Sequence, residues 1–370
     1  MTTPAPRHGA DRLEVLPVGG MPEVRAGDDL AELLVRALSA PLRPGDVVVV
    51  TSKVVAKAAG LVVGGDRDAV VEQHTDRVVA IRGPLRVVRL RTGLTLAAAG
   101  VDESNTEPGT VVPLPPDPDS CAAELRRRLL ELTGTDVAVL VTDTGGRAWR
   151  EGQTDLAIGV AGLPPLLDLA GTLDAAGVPL RVTAPAIADE VAAAADLVQG
   201  KALGRPFAVV RGLAHLMLDR DDAGPGGRAL VRDEASDLFG LGSQDAVRHA
   251  VRRDDRTAVR GFPAPGPVRQ WLPSVVQDAL AGVDPALARA VLAPGDPAQV
   301  VVLVPSSDGS ADVLLAAGAL TERVRVLAAA HRAGIESGPY ADAVLPVGWR
   351  AVACLRVVVG SDGADHPSVR

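Results

Sequence analysis

The chain has 370 residues, a formal net charge of −8 and a hydrophobic content of 47%. This length allows two or three domains with a substantial core, and the negative charge argues against wholesale nucleic-acid binding. Cys121 and Cys354 lie far apart, as expected of reduced thiols in the cytoplasm, and no apolar run reaches the ~18 residues of a membrane span. We therefore expect a cytoplasmic protein that binds small molecules, with neither nucleic acid nor membrane as a partner.

Periodicity and capping signals predict the elements of the first two thirds of the chain. In chain order they are a disordered tail over 1–12, a helix from Asp28 or Asp29 to about Ala40, a strand over Asp46–Thr51 and one or two short strands within 77–91. There follow a Pro-rich segment over 110–119 that is extended or a loop, a helix from Asp119 or Ser120 to about Leu132, a strand over Asp136–Thr142, a helix over Ile187–Gln199 and a strand over Phe207–Arg211. Strands and helices mix without strict alternation, which favours an α+β fold over a doubly wound sheet.

The segment from Val141 to Ala161 carries the densest chemical signal. Its apolar strand runs into Thr142, Asp143 and Thr144, and then into two glycines. A carboxylate and hydroxyl groups at a strand end supply oxygen ligands for a hard cation, and glycines let the backbone approach a phosphate. Taken alone, the segment is equally compatible with an ordinary strand-to-turn junction.

Two further segments favour a magnesium–nucleotide site. Their candidate groups are Asp102, Ser104 and Asn105 in one segment, and Ser52, Lys53 and Lys57 in the other. Magnesium usually takes one or two carboxylates and shares the phosphates of its substrate, and lysine acts on phosphate as a point charge. The chain contains no GxxxxGK[ST] motif, so a nucleotide would be bound without a P-loop.

Four motifs stand in a fixed order along the chain. They read GDVVVVTSKVVAK, AAGVDESNT, TDTGGRAWREGQTDLAIGVAG and AIADEVAAAADLVQGK, after an opening LPVGGMPEVRAGDDL. In sequence, order and approximate spacing they resemble the coenzyme F420-0:L-glutamate ligases over roughly Leu13 to Ser243. Four motifs in order make the resemblance specific, whereas any one of them alone would be weak.

The resemblance implies a fold and a chemistry. The fold would be α+β, with a mixed or antiparallel sheet and no P-loop. The enzyme would be a GTP-dependent ligase that joins the amine of L-glutamate to the lactyl carboxylate of F420-0, or of dehydro-F420-0, through an acyl phosphate. Two divalent cations (Mg²⁺ or Mn²⁺) would assist GTP, K⁺ is a candidate additional ion, and the chain would form a homodimer.

The resemblance also assigns site residues. The metal-binding positions fall on Asp102, Asp143 and Thr144, and the two aspartates would be the catalytic residues. The nucleotide contacts fall on Met21, Pro22, Glu23, Val24, Ser52, Lys57, Asn105, Gln199 and Gly200. Structural alternatives remain open, because Asp102 could cap a turn and Lys57 could be a solvated surface lysine.

The chain departs from the family's pattern beside Lys57. Where the family usually has Ser-Lys-x-Glu-Gly, this chain has Ala56 and Ala59 in place of the serine and the glutamate. The segment from Leu61 to Val71 is also shorter than the family pattern predicts. These departures leave two other hypotheses open: a different nucleotide-dependent amide ligase, and a non-catalytic scaffold or regulator of the F420 pathway.

A second domain is predicted over 246–370, after a ligase domain over 13–245. Segments of it resemble a flavin-binding, nitroreductase-like domain, namely Ala250–Phe262, Ala311–Gly334 and Ala351–Gly360. The stretch is too short for that domain's full core, and Asp254 and Asp255 would repel a flavin phosphate. We therefore expect a small, truncated nitroreductase-like α/β domain without flavin, built from one long helix over Ala311–Gly334 and two strands, Val300–Pro305 and Ala351–Gly360.

Overall fold

The computed structural model describes residues 10–104, 106–233, 237, 267–293, 296–329, 331, 333–337 and 345–359. Its contacts divide the chain into two compact units, Met1–Arg232 and Asp233–Arg370. Within the described residues, no helix combines the length and the apolar character needed to cross a membrane. Each unit has a hydrophobic core of its own.

The first unit is a mixed α and β structure. Its elements in chain order are β1 (Glu14–Val18), α1 (Leu30–Ala37), β2 (Val47–Thr51), α2 (Ser52–Ala58), β3 (Val63–Gly64), α3 (Arg67–His74), β4 (Thr75–Arg82), β5 (Leu85–Leu90), β6 (Thr95–Ala97), β7 (Thr110–Val111), α4 (Pro118–Thr133), β8 (Ala138–Arg147), β9 (Arg150–Ala161), α5 (Ile187–Gln199) and β10 (Phe207–Arg211). The strands form a central sheet in the order β1-β10-β2-β8-β9 and two small sheets, β4-β5-β6 and β3-β7. This arrangement is compatible with the predicted α+β class.

The central sheet is covered on both faces because its middle strands are apolar on both sides. In β2, Val48 and Val50 face a core that contains Leu34 of α1 and Leu129 of α4, whereas its other two valines face α5. The pair formed by β2 and β8 is parallel, with Thr51 opposite Thr142, and the other neighbours in this sheet are antiparallel. The carboxyl end of β2 therefore lies beside the middle of β8, at the edge of the sheet where β2 stops.

Three consecutive left-handed residues carry the chain from the small sheet β4-β5-β6 towards that edge. The φ angles of Ala98, Ala99 and Gly100 are 49°, 54° and 67°. A side chain at Gly100 would place its Cβ 2.6 Å from Leu114 Cδ1 and 3.2 Å from Asp143 Oδ2. A side chain at position 100 would therefore be strained in this backbone conformation and would displace Leu114, and the turn leads the chain to Asp102.

Several predicted boundaries need correction. The first helix ends at Ala37, before the predicted Ala40, and α4 is capped by Asp117, because Pro118 suits the first helical position. The strand predicted to end at Thr142 continues to Arg147, because β9 pairs with it through both glycines. The predicted bounds of α5 and β10 are confirmed.

The second unit is a four-stranded antiparallel sheet in the order β11-β12-β14-β13, packed against two helices. Its elements are α6 (Val268–Leu280), β11 (Arg289–Leu292), β12 (Gln299–Pro305), α7 (Ala311–Ala329), β13 (Ala333–Ser337) and β14 (Trp349–Val359). The sequence predicts one helix and two strands here, so it misses α6, β11 and β13. The long helix stops at Ala329 because the chain enters β13 at Ala333, and Gly334 is a strand residue. The segment Ala250–Phe262, with Asp254 and Asp255, lies outside the described residues.

Candidate active site

A cavity of about 390 Å³ opens at the carboxyl end of β2, beside the middle of β8, where the pairing of the two strands stops. Ligand sites commonly form where parallel strands end, because the loops that follow diverge there. The cavity is lined by residues 21–24, by the start of α2, by Asp102, by the middle of β8 and by the loop after α5. Its charged side chains are Lys53, Lys57, Lys201, Arg205, Glu23, Asp102, Asp143, Asp155 and Asp196.

The structure brings the predicted site residues together. The cavity is lined by Met21, Pro22, Glu23, Val24, Ser52, Lys57, Asp102, Asp143, Thr144, Gln199 and Gly200. Asn105 lies outside the described residues. Residues from four separate motifs thus share one cavity, although what they bind stays a prediction.

Asp143 is the most strongly perturbed acid of the cavity. Burial raises its pKa to about 7, and the nearby charges of Asp155 and Asp102 act in the same direction. Ser52 donates a hydrogen bond to Asp143 Oδ1 over 3.1 Å, which opposes the shift. A carboxylate held in this way gains from a neighbouring cation, because a positive charge stabilises its ionised form.

Asp102 has the opposite electrostatic setting. Partial burial raises its pKa, but hydrogen bonds from Lys53 and Ser104 outweigh burial and bring the pKa below its usual value. Lys53 Nζ lies 2.6 Å from Asp102 Oδ2, and the backbone N–H of Ser104 donates to Oδ1 over 2.7 Å. The hydrogen bond from Ser104 agrees with the alternative in which Asp102 caps a turn. The same residue also lines the cavity.

Asp155 was not among the predicted site residues. It is 3% exposed, and its carboxylate accepts hydrogen bonds from Thr142 over 3.0 Å and from Thr144 over 2.7 Å. Lys201 in turn donates to the Thr144 hydroxyl. Asp155 lies in the same sequence motif as Asp143, within the letters QTD, but the sequence does not show that the two are close. The strand register, which sets Asp155 opposite Thr144, shows it. Asp196 in α5, and Lys201 and Arg205 in the loop that follows it, were not named either, because only the fold brings them to this cavity.

Lys57 is buried, contrary to the surface alternative. Its side chain is 9% exposed, and its Nζ lies 2.5 Å from Glu23 Oε1. Ala56, which replaces the family's usual serine, is fully buried beside it. Burial of a lysine at the cavity wall suits a role as a fixed positive charge.

The oxygen groups of the cavity suit a hard cation. The side-chain oxygen Oε1 of Gln199 is buried and has no hydrogen-bond partner in the described structure, and it lines the same cavity as Asp143 and Thr144. The described residues contain no group of three or more His, Cys, Asp or Glu that could hold a metal by themselves. Carboxylate, hydroxyl and amide oxygens combined with substrate phosphates are the set that magnesium takes in nucleotide sites, so these residues fit the predicted cations.

Comparison with known proteins agrees with the motifs. The sequence profile of the family described as F420-0:Gamma-glutamyl ligase matches residues 20–67 and 66–212. The coenzyme F420:L-glutamate ligase of Methanopyrus kandleri is 40% identical over 252 residues, which make up 62% of this chain and 99% of that protein. The enzymes of the same name from Methanothermobacter thermautotrophicus and Archaeoglobus fulgidus are 37% and 36% identical, and 98% and 99% of their lengths are covered.

The two matched pieces of the profile meet at residues 66–67, inside the segment predicted to be shortened. The profile covers more than half of the chain, and the relatives are covered almost completely. The motifs that line the cavity lie within the matched residues. This chain belongs to the F420-0:gamma-glutamyl ligase family.

Proposed function

We propose that this chain is a GTP- and divalent-metal-dependent ligase that joins L-glutamate to the lactyl carboxylate of F420-0 or of its dehydro form. The observation that carries the proposal is the convergence of four family motifs on one cavity that is lined by both acids and lysines. The relatives that match over nearly their whole length are named as ligases for coenzyme F420 and L-glutamate. The loss of the hydroxyl and carboxylate at Ala56 and Ala59 leaves Lys57 in place at the cavity.

The chemical difficulty is that a carboxylate is a poor electrophile. In the proposed reaction an oxygen of the acceptor carboxylate attacks the γ-phosphorus of GTP, the bond to the β-phosphate oxygen breaks, and GDP leaves. The glutamate amine then attacks the acyl phosphate, loses a proton, and expels inorganic phosphate that keeps the acceptor's oxygen. The protein contributes mainly position and charge to such a transfer.

The charged residues divide this work. Lys57, Lys201 and Arg205 line the cavity and would balance phosphate charge. Asp102, Asp143, Thr144 and the free oxygen of Gln199 would hold the divalent cations, which supply charge neutralisation on the phosphoryl oxygens. Asp155 would orient the Thr144 hydroxyl, to which it is hydrogen-bonded.

Mass spectrometry of F420-0 incubated with the protein, glutamate, GTP and Mn²⁺ tests this proposal. A product heavier by one glutamyl residue, formed with equimolar GDP, is expected. An acceptor labelled with ¹⁸O in its carboxylate should release phosphate that carries one ¹⁸O atom, because the acyl phosphate transfers that oxygen. Unlabelled phosphate would refute the acyl-phosphate route, and an unchanged F420-0 across metals and nucleotides would refute the ligase assignment.

A further inference from the structure

The lysines of this chain are concentrated at one place. Of its 38 basic residues, three are lysines and 35 are arginines. All three lysines, Lys53, Lys57 and Lys201, line the cavity described above. Elsewhere the chain meets its need for positive charge with arginine, so the cavity is where the particular properties of lysine matter.

Lys53 has an environment that resembles a cation site. Its Nζ lies 2.6 Å from Asp102 Oδ2, 2.7 Å from Ser104 Oγ and 3.0 Å from the Ser104 carbonyl oxygen. A carboxylate, a hydroxyl and a carbonyl around one positive charge are also the ligand types that a hard divalent cation prefers. The sequence alone places Lys53 among the phosphate-binding lysines, whereas the structure places it on a predicted metal ligand.

We propose that Lys53 and a divalent cation compete for Asp102, and that the displaced ammonium group then turns to the phosphates of the nucleotide. The proposal rests on the proposed function, in which Asp102 holds a cation. A cation bound at Asp102 Oδ2 would lie close to the Lys53 ammonium group, and two positive charges at one oxygen repel each other. Metal binding at Asp102 therefore favours opening of the Lys53 contact.

The choice of lysine fits such an exchange. An arginine here would donate two parallel hydrogen bonds to the carboxylate and hold it in a fixed geometry. Lysine offers one compact charge on a flexible four-carbon stem, which can move between two anions a few ångströms apart. The side chain of Lys53 is 21% exposed, so it borders the open cavity in which phosphates would lie.

The competition has a thermodynamic consequence. A bare cation must displace Lys53 without compensation, whereas a cation that arrives with a nucleotide leaves the ammonium a new anionic partner. Metal and nucleotide should therefore bind with positive coupling, and each should raise the other's affinity by the same factor. Removal of the Lys53 charge should strengthen the binding of the bare metal and weaken this coupling.

The test measures Mn²⁺ binding to the full-length chain by the electron paramagnetic resonance signal of the free ion. Lys53→Met keeps the length and the apolar stem but removes the charge, and Lys57→Met removes an equal charge from the same cavity at a lysine paired with Glu23. We expect Lys53→Met to bind Mn²⁺ alone about tenfold more tightly than wild type, with a clearly smaller gain in Lys57→Met. With a non-hydrolysable GTP analogue added, the increase in Mn²⁺ affinity should be smaller in Lys53→Met than in wild type.

The outcomes separate this inference from the proposed function. If Asp102→Asn loses Mn²⁺ affinity while Lys53→Met gains none, the competition is wrong and the metal site stands. If Lys53→Met and Lys57→Met gain the same Mn²⁺ affinity, the gain comes from the lower positive charge of the cavity as a whole, and the inference is wrong. If Asp102→Asn binds Mn²⁺ as wild type does, the metal assignment fails together with the competition.

A second measurement follows the lysine side chains of the wild-type protein directly and uses variants only to assign their signals. Wild-type protein labelled with ¹³C- and ¹⁵N-lysine yields signals from three side chains, all of them at the cavity. The Lys53 signal is identified by its absence from the spectra of Lys53→Met and Lys53→Arg. Addition of diamagnetic Mg²⁺ should shift this signal more than the signals of the other two lysines. A Lys53 signal that stays in place at saturating Mg²⁺ would overturn the proposal.

Discussion

The Ser52 hydroxyl donates to Asp143 Oδ1 over 3.1 Å and so joins the first residue of α2 to the middle of β8. This bond links the two parallel strands just beyond their last paired residues. It fixes one oxygen of a carboxylate whose pKa is raised to about 7 by burial and by two neighbouring aspartates. The arrangement holds a carboxylate that is costly to ionise until a cation arrives.

Asp143→Asn should abolish turnover and leave the fold intact. The change removes the charge of a predicted cation ligand while side-chain volume stays nearly constant. Steady-state rates at increasing Mn²⁺ provide the measurement, with circular dichroism as the control for folding. Activity close to wild type at saturating metal would remove Asp143 from the ligands.

The same variant should change how stability depends on pH. Because the folded-state pKa of Asp143 lies above its ordinary value of 3.8, the folded protein binds more protons there, and its stability falls as pH rises from about 4 through about 7. Asp143→Asn has no such loss, so in metal-free buffer its melting temperature should exceed that of wild type at pH 8. Near pH 4 the two should converge, and a constant difference across pH would contradict the raised pKa.

Asp102→Asn should also suppress turnover, and the double variant with Asp143→Asn should be much less than additive. Both carboxylates line the same cavity, and residues that act through one cluster do not contribute independently. A double-mutant cycle on kcat/KM measures the coupling. Fully additive losses would indicate two unrelated roles.

Lys57→Ala should raise the KM for GTP more than the KM for glutamate. In the proposed function the buried ammonium group of Lys57 balances the charge of the GTP phosphates, and glutamate has no phosphate. Glu23→Gln is the matched control, because it removes the carboxylate charge beside Lys57 and keeps the ammonium group in the cavity. Equal effects of Lys57→Ala on both substrates would assign Lys57 a structural role.

Asp155→Asn should lower the pKa of Asp143. The negative charge of Asp155 is one of the causes that raise it, so removal of that charge makes ionisation easier. Carbon-13 NMR titration of the aspartate carboxyl groups in metal-free protein would follow the change. Thr144→Val serves as the control, since it removes a hydrogen bond to Asp155 and keeps the charge.

Purified full-length protein should carry no flavin, and FMN should not bind at micromolar concentration. Absorbance spectra check this prediction, and a yellow preparation would overturn it.

Truncation after Ser243 should leave ligase activity measurable, because the family profile ends at residue 212 and the first unit has its own core. The F420-0 assay checks this prediction, and an inactive but folded fragment would overturn it.

The site was predictable where a motif carries its residues in sequence, and hidden where the fold decides proximity. Asp102 and Asp143 could be named because each lies in a matched motif. Asp155 needed the register of β8 against β9, in which a shift between Val141 and Thr142 sets the pairing. Lys53 was recognised as a basic residue, but its partner lies 49 positions away, across a left-handed turn that no periodicity reveals.

The second unit shows the same limit. Its long helix and its two central strands have continuous apolar patterns and were predicted. The helix α6 contains Pro273, which argues against a helix in sequence, and β11 has four residues, too few for a clear alternation. Packing against the sheet stabilises α6, and pairing with β12 stabilises β11, where local preference does not.

The placement of all three lysines at one cavity also makes the chain selectively sensitive to enzymes that cut after lysine. An endoproteinase with that specificity can cleave the backbone only at positions 53, 57 and 201, and each of these bonds lies at the wall of the same cavity. The rate of cleavage thus reports local opening of this region, because this protease does not cleave after the many arginines of the chain. A ligand that orders the cavity would protect the entire polypeptide from that protease, so survival of the full-length band on a gel becomes a direct measure of occupancy.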